Sequence, residues 1–441
     1  MTLAPQQPGL RAPGTARRPG LHPAWVVAAV AFVALICAAG FRAAPGVLMV
    51  PLEEENGWSR SSLSTAVGIN LMLYGLLSPF AAAFMDRFGI RPVVATALCL
   101  IAAGSALPVF ATQSWQLMLT WGVLVGSGTG CMALVLGATI ANRWFVRRRG
   151  LVMGILTAGG ATGQLVFLPV VAVVADHVGW KTASLVIAGA AIAVVPLALG
   201  FLRDHPHEKG VGAYGDPTPY GDVTAVQPVV DQRGAAARAI GALRVAARTP
   251  VFWALAGGFA ICGATTNGLI GTHFVPAAHD HGMHETTAAG LLAVVGIFDI
   301  VGTIASGYLT DRYDPRKLLV GYYFFRGVGL AILPLLLDDT VHPSMLAFVV
   351  VYGLDWVATV PPTAVLCREA FGEHGTIVFG WVFASHQIGA AFAAIGAGVV
   401  RDRTGTYTMV WIVAAVLCVI AAGISWGVGR SRVAEVPALP A

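Results

Sequence analysis

MDRFGIRP at residues 85–92 and TDRYDPRK at residues 310–317 are two versions of one short loop, set 225 positions apart. Each places an acid beside an arginine, with a second arginine five positions after the acid: Asp86, Arg87 and Arg91 in one, Asp311, Arg312 and Arg316 in the other. The correspondence continues outward. ADHVGW around Asp176 pairs with RDRTGTY around Asp402, and Gly154 pairs with Gly380, both at an offset of 226. Register kept to one residue over such distances points to an internal duplication, so two like halves are expected.

What separates these loops is almost entirely apolar. With 56% hydrophobic residues, 11% charged residues and a mean hydropathy of +0.75, the composition is that of an integral membrane protein. A helix needs about 20 apolar residues to cross a hydrocarbon layer about 30 Å thick, and the chain offers twelve such runs. They are continuous and do not alternate every second residue, which requires helices and not barrel strands. From Arg203 to Pro250 the apolar signal stops in favour of Pro, Gly, Asp and charge. The expected plan is a disordered cytoplasmic tail over residues 1–23, a six-helix bundle over 24–202, a cytoplasmic linker over 203–250, a second six-helix bundle over 251–430, and a tail over 431–441.

A net charge of +5 invites a polyanion as partner, so the placement of the basic residues decides. All but six of the 27 Lys and Arg fall in the termini, the linker and the loops on one side of the membrane; the six are Arg42, Arg60, Lys181, Arg326, Arg401 and Arg403. This is the positive-inside asymmetry. It places both termini in the cytoplasm of a cell with the chain in its inner membrane, and it leaves no case for nucleic acid. The six cysteines (Cys37, Cys99, Cys131, Cys262, Cys367, Cys418) sit at wide spacings in apolar runs, as small packing residues do.

A duplicated six-plus-six helical chain with a central linker resembles the major facilitator superfamily, whose loop between the second and third spans runs Gly-x-x-x-Asp-Arg/Lys-x-Gly-x-Arg/Lys. Asp86, Arg87, Gly89 and Arg91 match it, with Ala82 in place of the leading glycine; the second copy keeps Gly307, Asp311, Arg312 and Arg316, and has Asp314 for the inner glycine. The resemblance implies an all-α membrane fold of two pseudo-symmetric bundles and a substrate site between them near the bilayer midplane. It also implies a gating role for Asp86, Arg87, Arg91, Asp311, Arg312 and Arg316, whose ion pairs one conformation keeps and the other breaks. The rival reading is simple charge anchoring.

At the start of the fifth span the chain reads NRWFVRRRGLVMGILTAGGATG, residues 142–163. Trp144 to Gly159 resemble the Tyr-Phe-x-Lys-Arg-Arg-x-Leu-Ala-x-Gly-x-Ala-x-Ala-Gly motif of monocarboxylate transporters, with Val152 and Leu156 for two alanines. GVLMVPLEEENGWSRSSLS, residues 46–64, is similar to the stretch after the first span in bacterial relatives such as the oxalate:formate antiporter group. Physically, Arg147 to Arg149 suit lipid headgroups, while Gly154, Gly159, Gly160 and Gly163 let a neighbouring helix approach closely. The family's eighth span carries an Asp and, four residues on, an Arg. Asp299 matches the first and Thr303 stands at the second.

An ionisable group in mid-membrane costs about 2.5–3.5 kcal/mol on insertion scales, so each one is a candidate for function. At about 1.5 Å per residue, Asp299, Arg326, Asp355 and His386 reach one level roughly 15–18 Å from their basic helix ends. Tyr74 shares that depth, Gln164 lies slightly higher, and Arg42 higher again. Arg326 is expected to pair with Asp299, either as a substrate element replacing the missing arginine or as a structural tie between two spans. Asp299 or Asp355 suits a coupling proton; His386 suits either that or helix packing. Arg42 matches to within about one position a lysine with which the monocarboxylate family engages substrate, although snorkelling outward is the alternative. Pro361 and Pro362 are expected to kink the tenth span and free carbonyls beside Asp355. His273, His279, His281 and His284 gather in a segment read as a solvated outer loop, with no metal-ligand spacing.

No nucleotide loop, no redox cofactor site and no assignable nucleophile and base are present, which excludes a pump and argues against an enzyme. The sequence supports a monomeric secondary active transporter without cofactor or metal, carrying a small organic anion with protons or against a counter-anion. The substrate-binding set is Arg42, Tyr74, Gln164, Asp299, Arg326, Asp355 and His386. Alternatives are efflux of a bulky apolar compound and a transporter-like sensor.

Overall fold

The computed structural model describes residues 21–216 and 234–428. Among the described residues, twelve helices are long and apolar enough to cross a membrane. The first six are α1 (Pro23–Asn56), α2 (Arg60–Phe88), α3 (Ile90–Phe110), α4 (Ser114–Trp144), α5 (Arg149–Val178) and α6 (Trp180–Phe201). The second six are α7 (Pro250–Asp280), α8 (Glu285–Thr310), α9 (Pro315–Leu335), α10 (Pro343–Phe371), α11 (Gly375–Thr404) and α12 (Thr408–Gly427). The chain is thus an all-helical membrane protein. Residues with a reason to start a helix start them: Ser59 and Thr249 cap α2 and α7 through their hydroxyls, Asp314 caps α9 through its carboxylate, and Pro250, Pro315 and Pro343 occupy first-turn positions.

The duplication is visible in the packing. Within the first half the main partners are α1 with α5, α2 with α4, and α3 with α6; the second half repeats them as α7 with α11, α8 with α10, and α9 with α12. Between the halves α2 lies against α11 and α5 against α8, which are again equivalent pairs. Small residues permit the α2–α11 approach. Gly75 faces Ala384 and Gln387, Gly68 faces Ala391 and Ile395, and Gly398 sits against Ser64.

We call the face bearing the basic loops the inner face and the opposite one the outer face. On the inner face the connection between the halves is partly structured. Asp204 accepts the Ile90 amide at the start of α3, Tyr214 bridges Phe145 through main-chain hydrogen bonds, and a helix over Ala235–Ala246 accepts the Trp381 indole N–H at Ala239 O, 2.8 Å away. Residues 217–233 of the expected linker, residues 1–20 of the first expected tail and the whole of the second lie outside the described residues.

Two helices run past their apolar stretches. α1 continues through three glutamates because Arg60 pairs with Glu53 and Lys181 with Glu55, the latter at 2.6 Å. α7 continues to Asp280, which corrects the reading of a solvated loop for His273 and His279, whereas His281 and His284 are exposed in the connection that follows. His273 is a helical residue with no exposed surface, its two ring nitrogens engaged by Tyr407 and by the carbonyl of Ala394. In the glycine-rich start of α5, Gly159 and Gly163 do admit a neighbour, namely Phe32, Leu35, Ile36 and Ala39 of α1, while Gly154 faces open space.

Candidate functional site

The tenth span is broken. Regular α-helix stops at Asp355 and resumes at Val360, and the reason is chemical. Pro362 has no N–H to return to Ala358 O, and Pro361 none for Val357 O. The Val360 N–H turns to Val357 O at 2.9 Å, so Trp356 O is freed as well. The prolines themselves stand in the first turn of the second half-helix, where a missing N–H costs nothing.

Side chains from two other helices, α8 and α9, take up the freed groups, and Cys262 of α7 supports them. Ser306 of α8 donates to Ala358 O at 2.5 Å. Arg326 of α9 donates from Nη2 to Asp355 O at 2.7 Å and to Trp356 O at 3.4 Å, and from Nε to the Asp355 carboxylate at 2.6 Å. Its Nη1 reaches Cys262 Sγ of α7 at 2.9 Å. Asp299 of α8 accepts the Val357 N–H at 3.1 Å and the Thr303 hydroxyl at 3.0 Å. Cys262 also lies 3.1 Å from Thr359 Oγ1. Ser306, Arg326, Asp355, Asp299, Cys262 and Thr359 are buried, so an unmade bond there would leave a polar group without water.

This geometry corrects one expectation: Arg326 pairs with Asp355, not with Asp299. Asp355 ends a half-helix, where the partial negative charge of the free carbonyls adds to that of the carboxylate, and the guanidinium fork satisfies both at once. Asp299 is taken by a main-chain N–H instead. Thr303, standing where the monocarboxylate pattern has arginine, serves Asp299 as a hydrogen-bond donor.

The fourth residue of the set, His386 of α11, lies beside this cluster in the space left by Gly263, with its ring against Phe259 (centroids 4.8 Å apart) and stacked on Phe383 (5.9 Å). Its Nδ1 has no hydrogen-bond partner among the described residues, nor has Gln387 Oε1 or Asp355 Oδ1. Phe383 in turn meets Tyr74 of α2 edge to face at 5.8 Å. Tyr74 is 14 residues from either end of α2. A layer from Tyr74 through Phe383 and His386 to the Arg326–Asp355 pair therefore joins the two halves at mid-depth. Gln164 is half-buried on α5. Arg42 is a residue of α1 whose side chain lies outside the described residues.

The contacts seen for five of the six inner-face residues lie within their own halves. Asp86 pairs with Arg143, Arg91 Nε donates to Leu202 O at 3.3 Å, Arg87 lies over the Phe88 ring at 5.3 Å and Arg312 over the Tyr308 ring at 3.5 Å. Asp311 is exposed at the end of α8, and the Arg316 amide is held by Asp314 at 3.0 Å.

Sequence reasoning missed Ser306, Cys262, Gln387, Phe259 and Phe383, and also a π-helical stretch over Ala264–Ile270 whose Thr265 carbonyl accepts the Tyr352 hydroxyl at 2.7 Å. The polar run TTN inside an apolar span was the available signal for the last.

Residues 31–394 match the sequence profile of the Major Facilitator Superfamily. The chain is 27% identical over 407 residues to the uncharacterized MFS-type transporter YcxA of Bacillus subtilis (strain 168), covering 91% of this chain and 93% of that one. It is 31% identical over 415 residues to monocarboxylate transporter 13 of Bos taurus, covering 91% and 88%. Its fold superposes with a TM-score of 0.69, at 15% identity and over 94% and 98% of the two chains, on a bacterial homologue of the human lysosomal transporter Spinster in an inward-facing, occupied conformation. With a duplicated helical plan, a polar layer between the halves and this match over most of its length, the chain belongs to the major facilitator superfamily and is a membrane transporter, not an enzyme.

Proposed function

We propose that the chain is a secondary active transporter that carries a small organic anion of the monocarboxylate class by alternating access, driven by protons or by exchange against a counter-anion. The observation that carries the reading is the mid-depth layer between the halves, in which the polar atoms His386 Nδ1 and Gln387 Oε1 are buried beside Tyr74 without a partner among the described residues. Buried polar groups are otherwise nearly always satisfied, so a substrate with polar atoms of its own is their natural complement. The name of the bovine relative supports the choice of anion. Arg42 supplies the carboxylate contact, Tyr74 and Gln164 line the path, and Asp299 or Asp355 carries the proton. The inner-face residues Asp86, Arg87, Arg91, Asp311, Arg312 and Arg316 exchange partners as the bundles rock. The protein works as a monomer in the cell's inner membrane with both termini in the cytoplasm, an orientation supported by the basic loops.

One observation favours a second reading. Every nitrogen of the Arg326 guanidinium is already engaged by protein groups, which leaves the layer richer in rings than in cations, as export of a bulky apolar compound would require. Purified protein in liposomes, offered labelled monocarboxylates, dicarboxylates and lipophilic cations with and without an imposed proton gradient, separates the two. Saturable movement of an acid supports the anion reading. Movement of the cation and of no acid overturns it.

A further inference from the structure

We infer that Asp402 is the latch of the outer gate: from the end of α11 its carboxylate holds the first turn of α2 across the interface between the bundles. Oδ1 accepts the Arg60 N–H at 3.1 Å and Oδ2 the Ser61 N–H at 2.8 Å. The first turn of any helix has donors without intrahelical partners and a partial positive charge, both of which a carboxylate satisfies. Here the donors are divided. Ser62 N–H goes to the helix's own cap, Ser59 Oγ, at 3.2 Å, while the two before it are served by the opposite bundle.

The Arg60 side chain repeats the tie in buried form. It pairs with Glu53 of its own bundle, and its Nη1 donates to the Tyr407 hydroxyl of the other at 3.0 Å. Tyr407 Oη lies 3.1 Å from His273 Nδ1, and His273 Nε2 lies 2.9 Å from Ala394 O. A carbonyl only accepts, so Nε2 carries the proton, Nδ1 accepts from Tyr407, and the phenol oxygen is left to accept from Arg60. Burial pushes the Tyr407 phenol above its ordinary range, against the opposing effect of Arg60, so it keeps the proton that it donates. From Arg60 the bonds run in one direction through Tyr407 and His273 to the α11 carbonyl, while Glu53 accepts from the rest of the guanidinium, so the chain ties both bundles. Beside it, Arg401 holds Asp280 with bonds of 2.7 and 3.0 Å, fixing the end of α11 against α7 and so placing Asp402.

The duplication makes the assignment sharper. Asp176 is the counterpart of Asp402 in the first half, and it meets the start of α8, the counterpart of α2. There the cap position is His284, and Asp176 Oδ1 is 3.6 Å from its Nε2 instead of holding main-chain N–H groups. Both copies place an acid where the bundles meet on the outer face, and only the Asp402 copy grips the helix backbone. For the outer side to open, α2 must leave α11, and its two N–H groups pass to water. A bond that water can replace is weak enough to open in every cycle.

The conformational part of this inference stands without the substrate reading; its consequence for transport rests on that reading. The test uses the full chain with its native cysteines replaced, reconstituted in liposomes and spin-labelled on the exposed outer positions Val178 of α5 and Met409 of α12. Pulsed electron–electron distances then report the bundles directly. Losing a helix-capping acceptor shifts an equilibrium by roughly tenfold, so Asp402→Ala should raise the long-distance population relative to the short one by about that factor. Tyr407→Phe, which keeps the ring and removes both hydrogen bonds, should shift it in the same sense. An unchanged distribution in either variant, in protein that is monodisperse and fully helical, overturns the latch. Should Asp402→Ala not fold, Asp402→Asn gives the same reading with a smaller shift. If the distances move as expected while no variant, nor the parent chain, transports any solute in the panel, the latch stands and the anion reading falls.

Discussion

Arg326 holds Asp355 twice, by a bond from Nε to the carboxylate at 2.6 Å and by another from Nη2 to the main-chain carbonyl of the same residue at 2.7 Å. The pair therefore fixes a backbone break as well as a charge. Removing one member of such a buried pair leaves an uncompensated ion, at a cost of about 3–5 kcal/mol. Arg326→Met and Asp355→Leu should each lower stability by that order, and the double variant by clearly less than their sum. Arg326→Lys keeps the charge but cannot reach carboxylate and carbonyl together, so it should resemble the loss of the pair. Thermal unfolding in detergent, arranged as a double-mutant cycle, measures the coupling. Strict additivity would mean that the two side chains do not depend on each other.

The role given to Ser306 makes a prediction in which one defect repairs another. Its hydroxyl serves Ala358 O because Pro362 has no N–H to offer. Ser306→Ala leaves that buried carbonyl unpaired, costing about 1–3 kcal/mol. Pro362→Ala restores a donor four residues after the carbonyl, so the Ser306→Ala, Pro362→Ala double variant should unfold at a higher temperature than Ser306→Ala alone. A double variant that is the weaker of the two would place the break under some other control.

Gly263 and Gly389 give a contrast with Gly380. A Cβ on Gly263 meets the carbonyl and the ring of His386, and one on Gly389 meets the carbonyl of Ala260; both are contacts between α7 and α11. At Gly380 a Cβ meets nothing within 4 Å. Alanine at the first two positions must push the helices apart, with a loss of about 1–3 kcal/mol each. At Gly380 it should be neutral or raise stability by up to about 1 kcal/mol through helix propensity. Comparing the three unfolding curves checks this directly, and an equal loss at Gly380 would show that the helices are not packed as described.

The fold was legible because its signals are long and repeated: twelve apolar runs, a one-sided distribution of arginines, and Asp86 and Asp311 in register. The polar centre was half legible. Counting depth from the basic ends brought Asp299, Arg326, Asp355 and His386 to one level, and the structure does gather them. The partner of Arg326 was not legible, because depth is one coordinate and azimuth around each helix is another. Asp299 and Asp355 are equally deep, and only the freed carbonyls around residues 355–358 decide between them. The prolines announced those carbonyls, yet nothing in the sequence named Ser306 and Arg326 as their donors. His273 was misread for a related reason. Its segment is polar enough for a loop, and only burial against Tyr407 shows why it stays helical. The Asp402 latch was present in the sequence as a repeat offset without a meaning, since its partners are main-chain N–H groups, which carry no residue signature.

Asp299 tests whether the centre does chemistry or only holds a shape. Its Oδ1 accepts the Val357 N–H at 3.1 Å and the Thr303 hydroxyl at 3.0 Å. Asparagine offers an acceptor at the same place but cannot take up or release a proton, whereas valine offers neither. Asp299→Asn should therefore stay within about 1 kcal/mol of the parent in stability, while Asp299→Val leaves a buried N–H unpaired and loses about 1–3 kcal/mol. If Asp299 carries the coupling proton, Asp299→Asn should still exchange labelled for unlabelled anion across a liposome membrane, and an imposed proton gradient should no longer accelerate uptake. The two measurements divide structure from coupling, because the hydrogen bonds survive in the variant and the titration does not. A gradient response equal to that of the parent would remove Asp299 from the coupling step and leave Asp355, whose Oδ1 is buried without a partner among the described residues, as the remaining carboxylate at that depth.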